Sequence, residues 1–126
     1  MTTWRDMAAS NRTAAHDLFA NGRWRSCASR AYYAVYCEVT HALLQAGVNM
    51  PAGRANPHHQ SLQNMIGNNL SALAMATRWR VAGLVAKLYV FRIIADYQPI
   101  VTLEEDDARI CLGLMTQALQ CMRGIP

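Results

Sequence analysis

Apolar residues recur along the chain at the three-and-four spacing of an α-helix, and no stretch alternates with period two as a half-buried strand would. The pattern predicts five helices. The first starts at Thr3, with Asp6 three residues on as a short capping box, and runs to Ala20 before Asn21-Gly22 ends it. The second runs from Trp24 to Ala46 with an inward face of Ala28, Tyr32, Val35, Val39 and Leu43, and Gly47 supplies a left-handed stop. Val48 to Pro57 contains Pro51, Gly53 and Pro57, has no period and reads as a loop. It is longer than the roughly 2–8 residues usual between bundle helices, a length that is often functional. A short third helix spans His58 to Ile66 and is closed by Gly67-Asn68-Asn69. The fourth runs from Thr77 to Ala95 on a seam of Val81, Leu84, Leu88, Phe91 and Ala95, and Pro99 prevents its continuation. The fifth takes Thr102 as N-cap and Glu105 as its capping-box residue, with a seam of Ala108, Leu112, Met115, Leu119 and Met122, and finishes at Gly124 and Pro126.

Single-stripe helices must bury their stripes against one another, so the expected fold is all-α: an antiparallel four-helix bundle with one additional short helix. The 126 residues are enough for one domain, spanning 1–126, and not for a second core. A 52% hydrophobic content excludes a disordered tail, and 4 cysteines, no two closer than ten residues, exclude a disulfide miniprotein, a CxxC motif and a zinc knuckle. Cys27, Cys37, Cys111 and Cys121 therefore read as buried thiols of a reducing compartment. The start Met1-Thr-Thr-Trp-Arg-Asp lacks the apolar run of a signal peptide, so a cytoplasmic location is expected. The most apolar stretch, Val81 to Ile94, is interrupted by Lys87 and Arg92 and is shorter than the roughly 20 residues that span a bilayer, so no membrane association is expected.

Charge is unevenly placed. Met1 to Ala95 carries nine arginines and Lys87 against Asp6, Asp17 and Glu38, a net +7, whereas the remainder carries −3. Eleven of the twelve basic residues are arginine, whose planar fork grips phosphate or carboxylate where lysine offers a point charge. The same arginines also suit capping and pairing along helix surfaces.

The residues that bear chemistry cluster in three places. Arg92 sits beside the buried seam of the fourth helix, with Asp96 one turn further and Tyr97 next to it. That arrangement reads either as an Arg92–Asp96 pair with the Tyr97 hydroxyl or as an arginine held for phosphate. Tyr32 and Tyr33 point about 100° apart on their helix, so that one is core and the other lines a groove. Arg23, Arg25 and Arg30 flank them and, with Arg54 of the long loop, are expected to form a basic rim. His58 and His59 open the third helix, where the helix N-terminus attracts anions. Two adjacent histidines without further ligands make a poor metal site, and no phosphate-loop, dinucleotide or hydrolase motif occurs, so neither metal nor cofactor is expected.

Ser29-Arg30-Ala31-Tyr32-Tyr33-Ala34, then Gly53-Arg54 with Asn56 and His59-x-x-Leu62, then Arg92-x-x-Ala95-Asp96-Tyr97-Gln98-Pro99 occur in this order and spacing. Together they resemble the HEPN superfamily, in particular its small prokaryotic branch with SRAYYA and RxxADY signatures, over about Ala20 to Met122. The resemblance implies an antiparallel bundle that forms a homodimer, with the arginine helices of two subunits lining a shared cleft. It also implies RNA or nucleotides as ligands and, for many members, metal-independent ribonuclease activity in toxin-antitoxin or phage-defence systems beside a nucleotidyltransferase-type antitoxin partner. Ribonuclease members place a His four to six residues after the Arg. This chain has Asp96 and Tyr97 there, no histidine after His59, and Cys37 where related sequences frequently have His.

Two functional expectations follow. In the first, Arg92, His59 and Tyr97 form a catalytic set, with Arg54, Arg30 and Tyr33 binding phosphate or nucleic acid. In the second, the protein is a non-catalytic dimeric interaction module, and Arg92, Asp96, Tyr97 and Tyr32 are a structural network.

Overall fold

The computed structural model describes residues 1–51 and 57–123, and every element among them is helical. Helix α1 spans Trp4–Ala20 and α2 Trp24–Gln45; a 3₁₀ turn at His59–Ser61 leads into α3, Leu62–Asn69; α4 spans Met75–Tyr97 and α5 Glu105–Met122. The Thr3 hydroxyl accepts from the Asp6 amide at 3.1 Å while the Asp6 carboxylate accepts from the Thr3 amide at 2.9 Å, closing the expected capping box. Gly22 and Gly47 both take positive φ, at 71° and 79°, and turn the chain where the glycines predict.

Three boundaries differ from the sequence reading. The segment after His58 begins as a 3₁₀ turn, and its α-helical part continues through Gly67 to Asn69 instead of stopping before the glycine. Gly67 is there for closeness: the Trp79 ring of α4 lies so near that a Cβ at 67 would sit 2.3 Å from it. Helix α4 begins two residues earlier and ends two residues later than Thr77–Ala95, running nearly up to Pro99. Helix α5 takes Glu104 as N-cap with Asp107 as capping-box partner, in place of Thr102 and Glu105. That register carries Ala108, Cys111, Met115, Ala118 and Leu119 into the core, while Leu112 and Met122 of the expected seam are half-buried. Of the long loop, residues 52–56 lie outside the described residues, as do Gly124 and Pro126; Pro57 is buried, and its carbonyl accepts the Tyr36 hydroxyl at 2.7 Å.

The larger departure is in layout. Helix α2 is the central element, packed by α1, α4, α5 and, more lightly, α3. Its predicted stripe of Ala28, Tyr32, Val35, Val39 and Leu43 is buried, but so are Cys27, Ala31, Ala34, Tyr36, Cys37, Glu38 and Thr40. A helix buried nearly all round needs small residues where neighbours approach, and Ala28, Ala31 and Ala34 meet that need. Its polar side chains must then find partners within the protein. Thr40 donates to the Tyr36 carbonyl at 2.8 Å, and Glu38, only 2% exposed, lies 3.3 Å from Arg5 and 3.7 Å from Arg123, tying both ends of the described chain to the centre. No described helix is long and apolar enough to cross a membrane.

Arg25 near the start of α2 reaches the far end of α4. Its guanidinium donates to the carbonyls of Ile94 at 2.8 Å, Ala95 at 3.1 Å, Gln98 at 3.0 Å and Pro99 at 3.3 Å, and also contacts that of Val101. These include carbonyls that a helix C-terminus leaves without partners, so one arginine replaces a C-cap and fixes the α4 exit. Arg25 is therefore not part of a basic rim. Arg25→Ala is expected to cost about 2–3 kcal/mol in urea denaturation, given the worth of charged hydrogen bonds, with part of it recovered in Arg25→Lys. A loss below about 0.5 kcal/mol, the scale of an ordinary surface change, would show that water replaces the cap freely.

Candidate functional site

Residues 29, 32, 33 and 36 share one face of α2, and residues 89, 92 and 96 share one face of α4, because each set is spaced by three or four. The two faces meet under the 3₁₀ turn that carries His59. The result is one polar and aromatic cluster built from three separate stretches of chain.

At its core, Tyr32 is 1% exposed and its hydroxyl is hydrogen-bonded to His59 Nδ1 at 2.6 Å. The His59 ring stacks on Tyr36, with centroids 4.5 Å apart, and lies nearly parallel to Tyr89 at 6.0 Å. It meets the Tyr33 ring edge-on at 6.1 Å. Burial pushes the Tyr32 phenol well above its ordinary value, so it stays neutral and can either donate to or accept from the imidazole.

Arg92 meets the same Tyr33 from α4. Its Nη2 donates to the Tyr33 hydroxyl at 2.7 Å and to that of Tyr97 at 3.4 Å, while Nε forms a 3.0 Å ion pair with Asp96. The guanidinium also lies over both phenol rings, 5.4 Å from the Tyr33 centroid and 5.1 Å from that of Tyr97. Burial alone would weaken the charged form, but Tyr33, Tyr97 and Asp96 outweigh it and raise the Arg92 pKa, so the guanidinium stays charged. Asp96 is steadied in turn by the Ser29 hydroxyl, which donates to it at 3.2 Å. Arg92 thus meets Asp96 by an ion pair at Nε and both phenols by hydrogen bonds from Nη2, and neither a hydrogen bond nor an ion pair among the described residues uses Nη1.

His59 and Arg92, distant in sequence, therefore share a neighbour in Tyr33. Tyr32 is core and Tyr33 half-buried, as the 100° separation predicts. Arg30 is placed differently: its Nη1 donates to Asn11 of α1 at 3.2 Å, across a groove of about 280 Å³ that Tyr33 also borders. Arg54 lies outside the described residues. Tyr36 and Tyr89 belong to the cluster and were not read from the sequence as site residues, although Tyr36 stands four after Tyr32 and Tyr89 three before Arg92. Their helical spacing was the available signal; their aromatic type made them look like ordinary core.

Cys37 borders the Arg30 groove but is no nucleophile. Burial pushes its thiol up to about 11, as it does that of Cys27, and pushes Cys111 up to about 12. Alkylation of the native protein at neutral pH is expected to label Cys121 alone, with the other three reacting only after denaturation, as read by intact mass. Fast native labelling of Cys37 would mean that the groove opens. For Tyr32 the folded pKa lies above the unfolded value of about 10. Its neutral form therefore adds stability that is fully present below that pH and is lost as pH rises beyond it. Chemical denaturation at pH 8 to 11 is expected to show falling stability above about pH 10, less steeply in Tyr32→Phe; equal slopes in the two proteins would refute this account.

The search of curated proteins and the search of solved structures found no match. A family model does match: the one described as HEPN domain, over residues 1–125. With nearly the whole chain covered and a helical bundle observed, the chain belongs to the HEPN family.

Proposed function

We propose that this protein binds RNA through Arg92 and cleaves it without a metal ion, with two copies of the chain forming the working unit. HEPN domains in general serve ribonuclease or nucleotide-related roles. The observation that carries the reading is the convergence of Arg92 and His59 on Tyr33, which supplies a phosphate ligand and a proton carrier in one cluster despite the missing histidine after Arg92.

In this mechanism Arg92 Nη1, together with the Tyr33 and Tyr97 hydroxyls, faces a phosphodiester and stabilises charge as it builds on phosphorus. His59 takes the proton of the RNA 2′-hydroxyl, whose oxygen attacks the adjacent phosphorus. The P–O5′ bond breaks, leaving a 2′,3′-cyclic phosphate, and Tyr97 protonates the departing 5′-oxygen. A phenol with a pKa near 10 is a poor base at neutral pH and an adequate acid towards an alkoxide. For His59 to act as base its imidazole is neutral, and the 2.6 Å hydrogen bond between Nδ1 and the Tyr32 hydroxyl orients the ring. Arg54 is assigned to the same phosphate path by charge and sequence position.

The dimer is supported by a second apolar seam on α4. Gly83, Ala86, Val90, Ile93 and Tyr97 recur at three, four, three and four on the side away from the core. Val90 is 58% exposed and Tyr97 64%, and Ile100 and Val101 extend the patch. A second copy laid on this seam covers it and brings two Arg92 clusters to one cleft. The partner class that the HEPN reading suggests is a nucleotidyltransferase-type antitoxin.

A second reading has one observation in its favour: Arg92 is already held by Asp96, Tyr33 and Tyr97, as a structural arginine would be. The protein is then a non-catalytic dimeric module. One experiment separates the two. Purified wild type is incubated with RNA in EDTA, beside Arg92→Ala and His59→Ala, with a thermal melt of each. Cleavage by wild type that falls about 10²–10³-fold in Arg92→Ala at a similar melting temperature supports the ribonuclease. No cleavage, with Arg92→Ala melting lower, supports the module. Light scattering is expected to give twice the 14.0 kDa chain mass, and Val90→Glu to return it to one; an unchanged wild-type monomer would refute the seam.

A further inference from the structure

The groove between α1 and α2 has no role in the chemistry above, yet it adjoins it. Tyr33 belongs to both: its ring borders the groove, and its hydroxyl receives the Arg92 hydrogen bond. Trp4 and Tyr36, whose rings lie edge to face at 6.5 Å, also line it, with Met7 and Cys37. The Tyr36 hydroxyl donates to Pro57, so the side chain enters the groove as ring surface.

Asn11 and Arg30 complete the lining, and their polar groups are held in order. The Asn11 amide donates to the Met7 carbonyl at 2.9 Å, one turn back on α1, which leaves its oxygen facing Arg30. Arg30 spends Nη1 on that oxygen at 3.2 Å. No hydrogen bond among the described residues uses its remaining donors, and the side chain is exposed beside the aromatic lining. The volume, about 280 Å³, falls just short of the roughly 300–1,000 Å³ typical of sites for whole small molecules. A slot with aromatic walls suits a flat heterocycle, and a guanidinium edge suits paired acceptors such as O6 and N7 of guanine.

We propose that this groove receives one unpaired guanine base of an RNA strand whose neighbouring phosphate lies at Arg92, with Trp4 and Tyr33 stacking the base and Arg30 reading its edge. The assignment rests on the RNA reading of Arg92 and adds a sequence preference to it. Arg30 is thereby a base-reading residue, where the sequence alone suggested a phosphate contact.

The test is fluorescence anisotropy with two labelled single-stranded RNAs, a uridine 12-mer and the same strand with one central guanosine, at fixed salt in EDTA. Wild type is expected to prefer the guanosine strand by at least about fivefold, the low end of what a bidentate arginine contact discriminates. Arg30→Lys keeps the charge and loses the fork, so the ratio should fall to about one. Trp4→Phe keeps the core packed and should retain the ratio, whereas Trp4→Ala, checked by melting, should weaken both strands about five- to a hundredfold. Binding that requires Arg92 but shows no guanosine preference, or a preference that survives Arg30→Lys, overturns the groove and leaves the Arg92 reading standing. Absence of binding to either strand by wild type overturns both.

Discussion

Burying α2 on nearly every side is the constraint from which the rest of the structure follows. A helix at the centre of a bundle cannot solvate its own polar side chains, and each one unpaired would cost a large share of a domain's small net stability. Tyr32 finds His59, Tyr36 finds the Pro57 carbonyl, Glu38 finds Arg5 and Arg123, and Tyr33 finds Arg92. Each partner comes from a different part of the chain. Satisfying α2 therefore pins the turn before α3, both ends of the described chain and the far half of α4 in one arrangement.

The same constraint places the candidate chemistry. A charged arginine is stable on the inner side of α4 because Asp96 and two phenols compensate it; Tyr33 is held by the packing of α2, and Tyr97 ends α4 itself. Preorganised dipoles around a half-buried cation are what phosphate chemistry uses. One set of contacts serves a structural and a catalytic role of Arg92 alike, and Nη1 is the atom on which the two differ.

The outward side of α4 completes the picture. Its second apolar seam ends at Tyr97, the residue that also touches Arg92. The exposed seam and the ordered arginine consequently meet in one side chain. Arg25, Arg30 and Arg92 do not form a single basic surface. Arg25 is spent on carbonyls and Arg30 on Asn11, whereas Arg92 stands in the cluster.

Local rules determined much of this protein from sequence. The Thr3–Asp6 box, the turns at Gly22 and Gly47, the buried stripe of α2 and the Arg92–Asp96 pair depend on neighbours within a turn or so, and helical periodicity reveals such neighbours. The triplet of signature segments was legible because it is linear, and it led to the right family. What periodicity cannot reveal is which of several amphipathic helices lies at the centre, since that depends on how all stripes are shared at once. The central place of α2, the passage of α3 through Gly67 beneath Trp79, the Arg25 cap on α4 and the meeting of His59 with Tyr32 and Tyr33 are contacts across 12 to 70 or more residues. Only the tertiary structure decided them, because close packing and the pairing of buried polar groups are satisfied by the molecule as a whole.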